Sequence, residues 1–181
     1  MPTTIVVPAN EVYNEATNMF TKTKETTLVL EHSLVSISKW ESKWHKAFLG
    51  KEQKTDEETI DYIKCMTLTQ NVDPNVYYCL SADNIQQIKN YIEDPMTATT
   101  IHENPNAPCS REIITSELIY YWMVALNIPV EFQKWHLNRL LMLIRVCNIK
   151  NQPPQKMSQR QLMSRNAALN AARRQKLHSK G

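Results

Sequence analysis

The chain has 181 residues, of which 42% are hydrophobic and 22% are charged, a composition typical of a globular domain rather than of a disordered chain. It contains two glycines, Gly50 and Gly181. Sites that need several glycines are therefore excluded. These include the phosphate-binding P-loop, the dinucleotide fingerprint G-x-G-x-x-G and the nucleophile elbow G-x-S-x-G.

The formal net charge of +3 is the sum of two unlike parts. Residues 1–131 contain ten basic residues and all eighteen acidic ones, whereas residues 132–181 contain eleven basic residues and no acidic one. This asymmetry is typical of a basic segment that has an anionic partner. That partner can be nucleic acid, an acidic protein or the acidic part of this chain, and the sequence does not choose among them.

The first 31 residues favour β-strands. Thr3–Val7 is rich in β-branched residues, and Thr26–Glu31 is rich in Thr, Val and Leu. Between them, two short apolar pairs flank the polar stretch at residues 14–18, which has the composition of a hairpin turn. We therefore predict a small antiparallel sheet of two or three strands.

From Ser33 onward the apolar residues follow a helical period. The first helix is predicted to end at Gly50, in the position of a C-cap, and it has one apolar stripe: Leu34, Ile37, Trp40, Trp44 and Phe48. Capping signals predict the next elements. Thr55 and Glu58 form a capping box, Pro74 follows Asp73 at a helix start, and Ser81 caps a helix that stops at Pro95.

The most apolar part of the chain lies between residues 110 and 147. We predict a helix from Arg111 to about Leu126, capped by Ser110, and a second helix from Pro129 to about Cys147 as its antiparallel neighbour. The first is apolar almost all round in its second half, which is typical of a central helix. After Pro153 and Pro154, a basic helix is predicted over residues 158–177.

These elements predict an α+β fold that is mainly α. We expect a small β element at residues 1–31, a helical core domain at residues 32–149 and a basic, helical C-terminal appendage at residues 150–181. The longest apolar run is much shorter than the roughly 20 residues that span a bilayer, so we expect no membrane span.

No pattern of reactive residues indicates an enzyme. The four cysteines and five histidines have none of the spacings of zinc sites, and no nucleophile lies in an activating context. We therefore expect a protein without catalytic residues, metal or cofactor. Since no secretory signal precedes the cysteines, we also expect reduced thiols in an intracellular protein.

Several residues are candidates for an interaction surface. Trp40 and Trp44 lie four residues apart on one stripe, which is compatible with core packing or with an interface anchor. Tyr120, Tyr121 and Trp122 are consecutive, so they face different directions, and at least one should reach the surface of the bundle or a neighbouring subunit. In the basic tail, the candidates for an anionic partner are Arg173, Arg174 and Lys176.

Arg139 falls on the apolar side of the helix predicted from Pro129. A buried guanidinium needs a partner, and the preceding helix offers Glu112 and Glu117. We predict a structural pair between Arg139 and one of these carboxylates, with Glu117 preferred.

The order of these segments resembles a known family. The stretches LEHSLVSISKWESKW, TIDYIKCMT, EIITSELIYYWMVALNIPVEFQKWHLNRLLMLIRVCNIKNQPP and NAALNAARRQ are similar to the tail assembly chaperones of long-tailed bacteriophages. The resemblance covers most of residues 25–175. It is carried by runs of residues and not by a catalytic motif, so it implies no catalytic residues.

The resemblance implies a role in phage tail morphogenesis. Such chaperones bind the tape measure protein, keep it soluble and help tail-tube subunits to polymerise around it. They act in the cytoplasm of the infected host, and we do not expect them in the mature virion. Many exist in a shorter and a frameshifted longer form, and this chain is similar to the shorter one.

Two other classes stay open beside the chaperone. One is a minor structural or connector protein of the virion, and the other is a nucleic-acid-binding accessory protein that uses the basic tail. Contact with the tail-tube protein and self-association are also open. Nucleic acid is the less expected partner, because the tail lacks the interleaved aromatic residues on which bases stack.

Overall fold

A computed structural model describes residues 2–14, 19–101, 112–152 and 159–177. The chain forms two compact units, residues 1–148 and residues 149–181, which are described separately below. The mainly helical α+β class predicted from the sequence is confirmed.

Four strands, rather than two or three, form the N-terminal element. They are β1 (Thr3–Val7), β2 (Asn10–Asn14), β3 (Met19–Thr23) and β4 (Thr26–Leu30). β1 pairs antiparallel with β4, and β2 pairs antiparallel with β3. Pro8 lies between β1 and β2, where its missing N–H interrupts the ladder and divides it into two sheets. The predicted turn lies outside the described residues, apart from Asn14.

The first helix, α1 (Leu34–Trp44), begins as predicted but ends earlier. Ser33 and Ser36 form a capping box at its start. The prediction of Gly50 as the C-cap is wrong. The helix ends at His45, which adopts the left-handed conformation with φ of 54° and donates its backbone N–H to Glu41.

The next helices confirm the capping signals. α2 (Asp56–Met66) begins at the Thr55–Glu58 capping box, and α3 (Ala82–Glu93) begins at Ser81, whose hydroxyl accepts from the Asn84 backbone N–H. Between them, Pro74–Tyr78 forms a short 3-10 helix. Each start depends on hydrogen bonds over three residues, which is why the local sequence predicts it.

The apolar C-terminal part of the first unit differs from the prediction. α4 spans Ser116–Ala125 and is capped by Thr115, and residues 112–115 are not helical. The helix predicted from Pro129 is divided into a 3-10 helix, Val130–Lys134, and α5, Leu137–Asn151. The break coincides with a β-bridge between Ser33 and His136, which holds the backbone extended at that position.

One apolar core joins the sheet to the helices. Inward residues of β1 and β4 pack with α1, α2 and the buried faces of α4 and α5. The fully buried large side chains include Ile5, Leu28, Leu30, Leu34, Ile37, Trp40, Met66, Ile119, Leu137 and Leu140. The edge of β1 is met by α3, where the Asn84 amide donates to the Val6 carbonyl at 3.0 Å. The core therefore fixes which faces of α4 and α5 stay outside.

The second unit contains one long helix, α6 (Gln159–Leu177). It has basic residues and no acidic one, and its described side chains are exposed. Because a helix this polar gains little from packing, it is not stable on its own unless it docks on a partner. No helix among the described residues is long and apolar enough to cross a membrane.

Candidate interaction surface

Helix α4 presents an apolar face to solvent. The sequence predicts it as a central helix, but in the structure it buries only one side, through Ser116, Ile119 and Met123. On the opposite side Tyr121 is 65% exposed and Val124 is 74% exposed. Large apolar residues that stand together at a surface mark interaction sites more often than isolated ones do. The prediction of a central position is therefore wrong. The exposed apolar side of α4 is instead a candidate interaction surface.

A buried carboxylate sets the position of α4. Glu41 of α1 is buried and accepts hydrogen bonds from the backbone N–H groups of Phe48 and Ser116, both at 2.7 Å. The first bond closes the loop after α1, and the second anchors the first residue of α4. Since one carboxylate holds both segments, the outward face of α4 has a fixed orientation relative to α1. The sequence does not distinguish Glu41 from other acidic residues.

The exposed face of α4 continues into a cleft. At about 100° per residue, Tyr121 and Ala125 lie beside Leu118 and Trp122 on the helix surface. Trp122 in turn lines a cleft of about 450 Å³ between α4 and α5. We call the exposed face and the neighbouring cleft the α4 surface; Val124 lies on the other side of Tyr121 from Trp122, so it borders the exposed face and not the cleft. The cleft is lined by Ile114, Trp122, Asn138, Leu141, Met142, Ile144, Arg145 and Asn148.

The two tryptophans of α1 do not belong to this surface. Trp40 is 1% exposed, and its Nε1 donates to the Glu58 carbonyl at 2.9 Å, so it is a core residue that a partner cannot reach. Trp44 is half-buried beside it, and its Nε1 donates to Asp61 at 3.0 Å. Lys43 also donates a hydrogen bond to Asp61. Burial alone would raise the pKa of the Asp61 carboxyl, but the hydrogen bonds from Lys43 and Trp44 outweigh it, so that this pKa is lowered. The structure thus favours core packing for Trp40.

The predicted pair between Arg139 and Glu117 does not form among the described residues. The Arg139 guanidinium lies over the ring of Trp135, 4.2 Å from its centroid. Glu117 lies in the first turn of α4, where backbone N–H and the Thr115 hydroxyl lower the pKa of its carboxyl. Arg139 is exposed, because the buried face of α5 is formed by Leu137, Leu140 and Ile144 on another side of that helix.

The three predicted basic candidates lie together near the end of α6. Arg173, Arg174 and Lys176 are all exposed. Arg160 and Arg165 belong to the same helix. At about 100° per residue these five positions are distributed around the helix rather than along one side. Such an arrangement attracts an anionic partner by charge and does not define a shaped site.

A buried histidine pair lies where three segments of the core meet. The rings of His32 and His136 are 5.0 Å apart, and the Leu137 backbone N–H donates to the His32 carbonyl at 2.9 Å. His32 shares a hydrogen bond with the Tyr62 hydroxyl through Nδ1. His136 Nε2 donates to the Tyr91 carbonyl at 2.9 Å, which leaves its buried Nδ1 without a partner. Both rings are therefore accommodated as neutral imidazoles.

The electrostatics of this pair follow from its burial. Burial, and secondarily the neighbouring His136, lower the pKa of His32 to about 3. Burial also lowers the pKa of His136. The described residues contain no group of three or more His, Cys, Asp or Glu side chains that could hold a metal ion. Both histidines lie in the core, where His32 is 2% and His136 1% exposed.

Comparisons of this chain with protein-family models, with curated proteins and with solved structures found no match.

Proposed function

We propose that this protein is a non-enzymatic tail assembly chaperone of a long-tailed bacteriophage, which binds the tape measure protein and assists tail-tube assembly in the host cytoplasm. The observation that carries the proposal is the α4 surface, where an exposed apolar helix face continues into a cleft. An exposed groove of this kind receives the apolar stripe of a partner helix. The sequence resemblance described above supplies the identity of that partner.

The size of the surface suits reversible binding. Full burial of a large apolar side chain contributes about 1.5–3 kcal/mol. With Tyr121 and Val124 already one quarter to one third covered, burying the remainder contributes roughly 2–4 kcal/mol for the two together. Association itself costs at least about 4 kcal/mol, so the cleft must be filled as well for a measurable complex. A chaperone has to release its client, and moderate affinity serves that need.

Methionine gives the cleft wall adaptability. Met142 lines the cleft, and Met123 lies beneath the exposed face in the core. Because methionine has an unbranched, polarisable side chain, it packs against partners of varied shape. This property suits a client whose successive helical segments differ in sequence.

The basic helix α6 favours a second candidate, a nucleic-acid-binding accessory protein. Eleven basic residues and no acidic one follow residue 131. Phosphate contacts would make binding fall steeply with salt, and deletion of residues 155–181 would abolish it. A minor virion protein, the remaining alternative, would be present in purified virions, from which a chaperone is absent.

The direct test is co-expression with the phage's tape measure protein, followed by pull-down. The proposal predicts that the tape measure protein becomes soluble and is captured with this chain. An equally soluble tape measure protein with and without the chain would remove the main support for the proposal.

A further inference from the structure

The side-chain charges of the second unit, residues 149–181, all have one sign. This unit contains eight basic residues and no acidic one, whereas the first unit contains thirteen basic and eighteen acidic residues. Arg173, Arg174 and Lys176 are exposed, and α6 has no carboxylate to neutralise them. Their place near the end of α6 suits the helix dipole, but that dipole amounts to only about half an elementary charge. The charge that α6 presents to a partner is therefore positive.

The large apolar residues of α6 lie on one side, although its basic residues do not. At about 100° per residue, Leu162, Leu169 and Leu177 fall within about 80° of the helix circumference. They are 48%, 47% and 73% exposed, respectively. We call these three residues the leucine stripe. The opposite side has small residues, among them Ser164, Ala168 and Ala171.

Basic residues border the leucine stripe. In the same projection Lys176 lies about 20° from Leu169, and Arg173 lies between Leu162 and Leu177. Long basic side chains pack their methylene groups along apolar surface while the charged end reaches outward. A partner that covers the leucines therefore meets positive charge beside them.

We infer that α6 binds an acidic amphipathic helix of a partner protein. The apolar stripe of that helix would cover Leu162 and Leu169, and carboxylates beside it would pair with Arg173 and Lys176. Charge complementarity selects an acidic partner, because no carboxylate within α6 offsets its positive charge. Docking would also stabilise α6, since a helix this polar is not stable alone. The inference is independent of the proposed function, which rests on the α4 surface.

Two other occupants fit these features less well. A nucleic acid neutralises basic residues through its phosphates, but its bases stack on aromatic side chains, which α6 lacks, and its backbone covers no leucine. A second α6 offers leucines but brings the same positive charge to the interface. An acidic amphipathic helix provides both the apolar cover and the opposite charge.

Three labelled probes test the inference on the full chain by fluorescence anisotropy. Two are peptides of about 20 residues with equal numbers of glutamates, one with leucines at i, i+3, i+4 and i+7 and the other with glutamines there. The third is a DNA duplex of about 20 base pairs. At about 0.15 M salt the leucine peptide should bind at least about tenfold more tightly than the glutamine peptide, and more tightly than the DNA.

Two double variants separate the stripe from the charge. Leu162→Gln/Leu169→Gln keeps the helix propensity and should weaken binding of the leucine peptide by about tenfold, while binding of the glutamine peptide and the DNA stays unchanged. Arg173→Gln/Lys176→Gln removes two charges and should weaken binding of both peptides by about fivefold, with a larger effect at low salt.

The matched control is Ala168→Gln/Ala171→Gln, which introduces the same side chains on the opposite side of α6. This variant should bind the leucine peptide as tightly as the wild type does. Circular dichroism of each variant verifies that the first unit is folded.

Five results would overturn the inference: equal affinity for the two peptides, no binding of either peptide, tighter binding of the DNA than of the leucine peptide, unchanged affinity of Leu162→Gln/Leu169→Gln for the leucine peptide, or a wild-type oligomer in light scattering that this double variant dissociates. Tighter binding of the DNA would assign α6 to nucleic acid. Dissociation of an oligomer would mean that a second copy covers the leucine stripe.

Discussion

Acid should destabilise this fold through the buried His32. Its ring is enclosed by Tyr62, Phe48 and the second imidazole, His136, and its pKa is lowered from 6.5 to about 3. A histidine whose pKa is lowered by folding makes its full contribution to the free energy of unfolding when the pH is above the pKa that it has in the unfolded chain. That contribution is lost as the pH falls below 6.5, and the loss is complete near pH 3. Between pH 7.5 and pH 5 the free energy of unfolding should fall by about 2 kcal/mol.

Urea denaturation followed by tryptophan fluorescence measures this loss at several pH values. His32→Phe keeps the ring volume approximately and removes the titration, while the Tyr62 hydroxyl keeps Ser36 Oγ within 3.4 Å. We expect the variant to have a shallower dependence on pH, with His136 causing the remaining slope. The carboxylates titrate in both the wild type and His32→Phe, so their contributions cancel when the pH dependences of the two proteins are subtracted.

The control is His45→Asn, at the exposed end of α1. His45 has a left-handed backbone that Asn tolerates, so this variant should fold, and because it leaves His32 buried it should still lose stability between pH 7.5 and pH 5. The reasoning would be refuted by a His32→Phe protein with the full wild-type slope, or by a wild-type protein equally stable at pH 7.5 and pH 5.

Three further changes test other parts of the account. Thr55→Ala removes the cap of α2 and should lower the free energy of unfolding, measured by urea denaturation, by about 1 kcal/mol. The control Thr100→Ala, at an exposed position, should leave it unchanged, and equal effects of the two changes would contradict the capping geometry. Tyr121→Ser should change stability by less than about 0.5 kcal/mol in the same assay, since its side chain is mostly exposed, and a large loss would place it in the core. Removal of residues 153–181 should leave the melting temperature of the first unit within about 2 °C in calorimetry, because that unit has its own core; unfolding of the truncated chain would refute this independence.

Local signals account for the parts of the fold that the sequence predicts well. The helix starts at Ser33, Thr55 and Ser81 depend on side-chain bonds to backbone groups three residues away, so the residues involved lie side by side in the sequence. The strands of the N-terminal element also follow from their composition. The number of strands does not follow from composition, because it depends on the interruption at Pro8, which separates the β1–β4 pair from the β2–β3 pair.

Tertiary contacts decide the parts that the sequence does not predict. Nothing in the local pattern shows that the bridge between Ser33 and His136 interrupts the helix after Pro129. The burial of His32 against His136 likewise depends on residues far apart in the chain. Neither feature has a signal in the sequence around it.

The candidate site was predicted in part. The adjacent Tyr121 and Trp122 were expected to face different directions, and the structure places one on the exposed face and the other in the cleft. The apolar character of α4 predicts burial on all sides, because periodicity cannot distinguish a central helix from one with an exposed apolar face. Val124 and the α5 wall of the cleft were missed for the same reason.

The most direct test of the central claim is the soluble fraction of the tape measure protein on co-expression with variants of the α4 surface. The double variant Tyr121→Ser/Val124→Ser removes the exposed apolar face, and Tyr78→Ser removes a tyrosine of similar exposure, 60%, elsewhere on the surface. The account predicts that the wild type and Tyr78→Ser keep the tape measure protein soluble and that the double variant, though folded, does not. A soluble tape measure protein with the double variant would contradict it.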